Sequence, residues 1–242
     1  MASWESASSN LVSSKSLSWK FAILGVGLLL GGCIQTTLEP ATNAAMTSRD
    51  KELLAHPPYA QAAVPEPYQR HIVDYHRKEA PGTIVIDPDN RFLYLVRDDG
   101  KAIRYGVTVG EEAQGWSGVA KIGAMTEWPS WTPTAGEHQR LDGLPAGRLP
   151  DHMPGSPANP MGARAMYLYA NGKDTLYRIH GTNQPEYIGQ AISSGCIRLT
   201  NENAIDLYSR VKIGTPVVVL APGQGDSPYS AKLALGGGLS RQ

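Results

Sequence analysis

The chain has 242 residues, and its 22 Lys and Arg are balanced by 22 Asp and Glu, so the formal net charge at pH 7 is zero. That balance argues against a protein that works by neutralising nucleic-acid phosphates, which requires a basic face. Gly and Pro make up 44 residues while 41% are hydrophobic, enough apolar material for one core, which excludes a collagen-like or wholly disordered chain. The two cysteines are Cys33 and Cys196, and neither Cys-x-x-Cys nor His-Glu-x-x-His spacing occurs. A disulfide-stapled miniprotein and the common zinc sites are therefore not expected, and no metal or organic cofactor is signalled.

The first element in chain order reads as an address. Phe21 to Leu30 (FAILGVGLLL) is an uncharged apolar run, preceded by Lys15 and Lys20 and followed by Gly31-Gly32-Cys33. A helix needs about 20 residues to cross a bilayer core of about 30 Å, so the run is too short to span and has the length of a signal-peptide core. Leu30-Gly31-Gly32-Cys33 resembles a bacterial lipobox, whose cysteine is lipidated and becomes the mature N-terminus; the other reading is a plain signal peptide with Cys33 incidental. Residues 1–32 are thus expected to be a lipoprotein signal peptide, with lipid on Cys33 anchoring a periplasmic protein. Ile34, where an Asp would favour inner-membrane retention, leans the expectation towards the outer membrane. Cleavage before Cys33 leaves 210 residues with a formal charge of −1, so the lipid and not a polybasic patch would hold the membrane.

Residues 33–67 carry Ala, Thr and Pro without sustained periodicity and read as a membrane tether. The folded domain is expected over 68–221, and 222–242, with Gly236-Gly237-Gly238, as a loose tail.

Within the domain, short strands follow one another. Thr83 to Ile86 and Phe92 to Val96 flank the turn sequence Asp87-Pro88-Asp89-Asn90, which makes a hairpin. After the turn at Asp99-Gly100, Ile103, Tyr105, Val107 and Val109 alternate with Arg104, Gly106 and Thr108, the period of a strand with one buried face. Ala165 to Tyr169 and Thr175 to Ile179 flank Asn171-Gly172, the strongest short hairpin signal, and the second strand delivers His180 at its end. Thr200 or Asn201 can cap a helix with Ala204, Leu207, Tyr208 and Val211 on one face, and Pro216 to Leu220 is a last strand. The expected fold is mostly β (α+β), a sandwich or barrel with one clear helix after the Cys196 loop.

The chemistry concentrates between His180 and Leu199. His180-Gly181-Thr182-Asn183 is followed by Ser193-Ser194-Gly195-Cys196-Ile197-Arg198-Leu199. A free thiol is mostly unreactive near neutrality, and an imidazole within hydrogen-bond reach turns it into a thiolate-imidazolium pair able to accept an acyl group. Small residues at Ser194 and Gly195 let backbone N–H groups approach an acyl oxygen as an oxyanion hole. The alternative for Cys196 is a buried small hydrophobe. Its setting among Ser, Gly and Arg, in an exported chain whose other cysteine is lipidated, weighs against that reading.

These residues resemble the signature of the YkuD-type L,D-transpeptidases, bacterial cell-wall enzymes of the ErfK and YbiS group. The resemblance runs from about Gly82 to Leu220 and takes in Trp128-Pro129-Ser130-Trp131 and Asn159-Pro160-Met161-Gly162-Ala163-Arg164-Ala165. It implies a β-sandwich-like catalytic domain that performs ping-pong acyl transfer on peptidoglycan stem peptides. Cys196 would attack the carbonyl of the third stem residue, normally diaminopimelate, and release D-Ala, with His180 as general base and then acid. An amine of another stem, or of an outer-membrane protein or lipoprotein, would resolve the thioester. Water would do so in an L,D-carboxypeptidase or amidase, and a wall-binding lipoprotein without catalysis is the remaining alternative. Many members carry a second His where Ser194 stands, which throws the base assignment onto His180; the group that orients it is implied to be the Gly181 carbonyl.

Other side chains divide more evenly between roles. Arg198 either binds a substrate carboxylate or makes a structural salt bridge. Ser193 either helps build the loop or the oxyanion hole or is a plain turn serine, and Trp128 and Trp131 either line the substrate groove or pack in the core. His152 reads as a surface-loop residue, and His56, His71, His76 and His138 as solvated.

Overall fold

The computed structural model describes residues 37–38, 43–110, 116–141, 149–192 and 196–225, all within the compact unit Ile34–Gln242. The expected signal peptide, Cys33, the Ser193-Ser194-Gly195 segment and residues 226–242 of the tail lie outside the described residues. No helix among the described residues is long and apolar enough to cross a membrane.

Twelve strands are formed among these residues: β1 (Thr37–Leu38), β2 (His71–Asp74), β3 (Ile84–Asp87), β4 (Phe92–Val96), β5 (Lys101–Gly106), β6 (Thr108–Gly110), β7 (Gly118–Glu127), β8 (Arg164–Ala170), β9 (Lys173–His180), β10 (Ala191–Ile192), β11 (Ile197–Arg198) and β12 (Pro216–Val219). Three α-helices accompany them among the described residues: α1 (Ser48–Ala55), α2 (Ala135–Leu141) and α3 (Asn201–Arg210). The strands form one hydrogen-bonded sheet in the order β1-β2-β5-β4-β3-β12-β7-β8-β9-β11-β6-β10. The fold is therefore mostly β, with α3 directly after the Cys196 loop as expected.

Local chemistry accounts for the hairpins. The side chain of Asp87 accepts from the backbone N–H of Asn90 at 3.0 Å, turning the chain between β3 and β4. Between β8 and β9, Asn171 and Gly172 both take positive φ (51° and 76°), as a two-residue primed turn demands.

The expected continuous strand from Ile103 to Val109 is instead two. β5 and β6 are separated by Val107 alone, yet β5 pairs with β2 and β4 while β6 pairs with β10 and β11 at the far end of the sheet order. The sheet therefore curls on itself, and the chain changes layers at Val107. The curl covers both faces of this stretch: Tyr105 and Val107 enter the core, while Arg104 and Thr108, expected to face water, are only 6% and 1% exposed. The Arg104 guanidinium lies over the Phe92 ring at 4.3 Å and donates to the Pro67 carbonyl. The Thr108 hydroxyl donates to the Tyr187 carbonyl at 2.6 Å.

The stretch 33–67 is no bare tether from Asn43 onward. Thr47 caps α1, its hydroxyl accepting from the Asp50 N–H at 3.1 Å while the Asp50 carboxylate accepts from the Thr47 N–H at 2.9 Å. The same carboxylate is fully buried and accepts from both terminal nitrogens of Arg164, at 3.0 and 2.7 Å, and from the Trp128 indole at 2.9 Å. Ala45, Met46, Leu53 and Leu54 pack against Trp128, Ala163 and Ile205. A buried ion pair together with an apolar patch fixes this segment to the domain. His71, expected to be solvated, is buried, its two ring nitrogens meeting the Gln69 carbonyl and Glu66.

The helix α3 is anchored at its middle. Asp206 is buried and accepts from the Tyr105 hydroxyl at 2.7 Å, pairs with Arg70 at 3.0 Å and receives two bonds from Arg210 at 2.9 Å. At its start, the Thr200 hydroxyl accepts from the Asn203 N–H and caps the first turn.

Candidate active site

The site grows from the parallel pairing of β9 and β11, in which Ile179 lies opposite Ile197 and His180 opposite Arg198. Ile179 and Ile197 are buried in the core. Side chains alternate along a strand, so Arg178 and His180 on β9, and Cys196 and Arg198 on the adjoining segment, point to the opposite face. Cys196, one residue before β11, thus stands diagonally across from His180 on the same face. The Leu199 N–H donates to the His180 carbonyl at 2.8 Å and extends the pairing. Sequence placed His180 and Cys196 in one window; the sheet register puts them on one face.

His180 is 3% exposed, and its Nδ1 lies 2.6 Å from the Gly181 carbonyl. A carbonyl only accepts, so Nδ1 carries the proton and Nε2 keeps its lone pair for a substrate or thiol proton. Burial, reinforced by the Arg198 charge and opposed by the Gly181 and Met161 carbonyls, lowers the His180 pKa to about 3. Burial also pushes the partly exposed Cys196 thiol up, against the pull of the Arg198 and Arg178 charges and of the Arg178 backbone N–H. Both shifts favour the uncharged form of the group concerned. The thiolate-imidazolium pair expected from sequence is disfavoured because both of its charges would sit out of water.

Charged groups frame the couple. Arg178 is clamped bidentately by Asp174 at 2.6 and 2.7 Å and lies over the Tyr167 ring at 4.5 Å. Glu137, in the first turn of α2, adds a negative charge felt by both Cys196 and Arg198. Arg198 donates to the Gln184 side chain at 3.3 Å. Trp128 is 5% exposed with its indole bonded to Asp50, so it packs in the interior and does not line a groove. Trp131 is half-buried, its backbone paired with Met153. His152 is exposed, with Nδ1 3.2 Å from the Thr132 hydroxyl. The oxyanion-hole candidates Ser194 and Gly195, and Ser193 beside them, lie outside the described residues. Sequence reasoning missed Arg178, whose signal was its i, i−2 spacing from His180, and Glu137, which had none.

A family model of the L,D-transpeptidase catalytic domain, YkuD, matches residues 81–219. The chain belongs to the YkuD family. This YkuD domain is 34% identical over 142 residues to the probable L,D-transpeptidase YbiS of Escherichia coli strain K12, a match covering 56% of this chain and 43% of that one. It is 33% identical over 159 residues to the probable L,D-transpeptidase ErfK/SrfK of the same strain, covering 64% and 47%. The chain therefore spans less than half the length of these two curated relatives. Among solved structures, a probable carnitine operon oxidoreductase caia from Brucella melitensis is 48% identical, covering 65% of this chain and 96% of that one at a TM-score of 0.43. An L,D-transpeptidase from Mycobacterium smegmatis is 21% identical, covering 57% and 58% at a TM-score of 0.41. Superpositions this loose lend no weight to either function, and membership of the YkuD family rests on the sequence match.

Proposed function

We propose that this YkuD domain is a peptidoglycan L,D-transpeptidase with Cys196 as nucleophile and His180 as general base and acid. The observation that carries the reading is the 2.6 Å bond from His180 Nδ1 to the Gly181 carbonyl, which leaves Nε2 as the proton acceptor on the face shared with Cys196. The thiol proton passes to Nε2 as the sulfur attacks the carbonyl carbon of the third stem residue. The tetrahedral intermediate collapses as the C–N bond to D-Ala breaks, and Nε2 returns the proton to the departing amine. An acceptor amine then attacks the thioester, giving its proton to Nε2; the C–S bond breaks and the thiol is restored.

The acceptor is a diaminopimelate side-chain amine, making a cross-link between two third residues, or an amine of an outer-membrane protein or lipoprotein. Arg198 and Trp131 are the groove contacts of this reading. The chain is exported, lipidated at Cys33 and held at the periplasmic face of the outer membrane, a proposal supported by Phe21 to Cys33. Incubating the protein with a carbapenem, an acyl mimic that forms a thioester with such a thiol, tests the chemistry. An adduct on Cys196 that vanishes in Cys196→Ala supports it, and an unmodified wild type overturns it.

A further inference from the structure

The Gly181 carbonyl orients the general base, so whatever fixes the Gly181 peptide fixes the base. One side chain grips the chain on both sides of it. Asn201, 1% exposed at the start of α3, accepts from the Ala163 N–H through Oδ1 at 2.8 Å and donates from Nδ2 to the Thr182 carbonyl at 2.9 Å. Nδ2 also donates to the Tyr59 hydroxyl at 2.9 Å, a residue outside the span matched by the family model. The Gly181 N–H donates to the Arg164 carbonyl at 3.0 Å, so residues 163–164 and 181–182 are tied together by backbone and by the Asn201 amide. The fit leaves no spare room: a Cβ built on Gly181 or on Gly162 would run into Oδ1 of Asn201. Both glycines are thus the space that the amide occupies.

We propose that Asn201 is a positioning residue for the general base, holding the Gly181 carbonyl against His180 Nδ1 and so keeping Nε2 free on the Cys196 face; this rests on the transpeptidase reading of the same site. Asn suits the task because one planar group supplies an acceptor and two donors. Asp at this position keeps the acceptor for Ala163 but has no donor for the Thr182 carbonyl. Ala leaves both backbone groups buried without that partner. The anchor at Asp206 and the cap at Thr200 hold the amide in register from behind.

The test compares full-length wild type, Asn201→Ala and Asn201→Asp, each shown to be folded by its thermal transition. The first readout is the imidazole tautomer of His180, followed by 15N NMR of histidine-labelled protein. The expected result is an Nδ1–H tautomer in wild type and a mixture in Asn201→Ala. The second is the rate of Cys196 acylation by a carbapenem, expected to fall roughly 10- to 100-fold, as misplacing a catalytic group by about 1 Å does. Noncovalent affinity for a tetrapeptide stem is expected to be unchanged. If Asn201→Ala does not fold, Asn201→Asp carries the same expectations with a smaller change of shape. A folded variant that keeps the Nδ1–H tautomer, or that acylates within about twofold of wild type, overturns the proposal. The tautomer is read without substrate, so a wild type that fails to acylate counts against the transpeptidase reading and leaves the positioning of His180 separately tested.

Discussion

Replacing Asp50 with Asn asks whether a residue 31 positions before the start of the family match belongs to the catalytic unit. In the folded chain its carboxylate accepts from both Arg164 terminal nitrogens, the Trp128 indole and the Thr47 backbone, with Arg164 and Asp50 side chains only 3% and 1% exposed. Asn keeps one acceptor but turns an amide N–H towards Arg164 and leaves the buried guanidinium with only the half-exposed Glu127 carboxylate, 3.9 Å away, as counterion. Breaking a buried pair from one side costs about 3–5 kcal/mol. At roughly 2–4 °C per kcal/mol for a domain of this size, Tm should fall by about 6–20 °C. The pH dependence gives a second check. Burial pushes the Asp50 carboxyl up, but the Arg164 and Thr47 bonds outweigh it and bring the pKa from 3.8 down to about 2. Because the folded value is the lower, its stabilisation is complete above pH 4 and is lost as pH falls towards 2, a drop of about 2 kcal/mol. Urea unfolding at pH 7 and at a series of pH values down to 2.5 measures both effects. A destabilisation below about 1 kcal/mol, or an unchanged acid limb in Asp50→Asn, would refute the claim that α1 is integral to the domain.

Four further outcomes follow from the same geometry. His180, neutral in the fold with a pKa of about 3 against an ordinary 6.5, takes up its proton only on unfolding, so stability falls as pH drops from 6.5 towards 3; His180→Gln should flatten that limb in urea titrations, and an unchanged slope would contradict its burial as a neutral ring. Iodoacetamide alkylation of Cys196 should climb into the alkaline range because burial raises the thiol, and a rate already at plateau between pH 5 and 7 would point instead to a resting thiolate. Gly181→Ala, whose methyl meets Asn201 Oδ1, should lower carbapenem acylation at least about tenfold in single-turnover mass spectrometry. Removing the Asp174 clamp with Asp174→Ala should loosen Arg178 beside Cys196 and speed alkylation at pH 8, the bare guanidinium favouring the thiolate; a slower rate would reverse the electrostatic assignment.

How far the sequence reached depends on the range of the interaction involved. Asn171-Gly172 specifies its hairpin within four residues, and Thr200 its helix within one turn, so both were legible. The layer change at Val107 was not: alternation is uninterrupted from Ile103 to Val109, and only pairing with strands far away in sequence shows that the stretch is shared between two layers. The helix α1 had a local signal in the Thr47 to Asp50 capping spacing, outweighed by the surrounding Ala and Pro. What fixes it, Arg164, lies 114 residues away. In the site, the His180 and Cys196 chemistry and the role of the Gly181 carbonyl came from motif and resemblance. Asn201 read only as a helix cap, because its partners at Tyr59, Ala163 and Thr182 are assembled by the tertiary fold. The burial that pushes the His180 imidazole down and the Cys196 thiol up also escaped sequence, since it belongs to the packed structure.

The most direct measurement is mass spectrometry of tetrapeptide muropeptides incubated with the purified protein, wild type beside Cys196→Ala. Acyl transfer predicts cross-linked dimers, or exchange of the terminal D-Ala for an added amine, in the wild type alone. Tripeptide and free D-Ala as the sole products would contradict transfer to an amine, and products undiminished in Cys196→Ala would contradict the nucleophile itself.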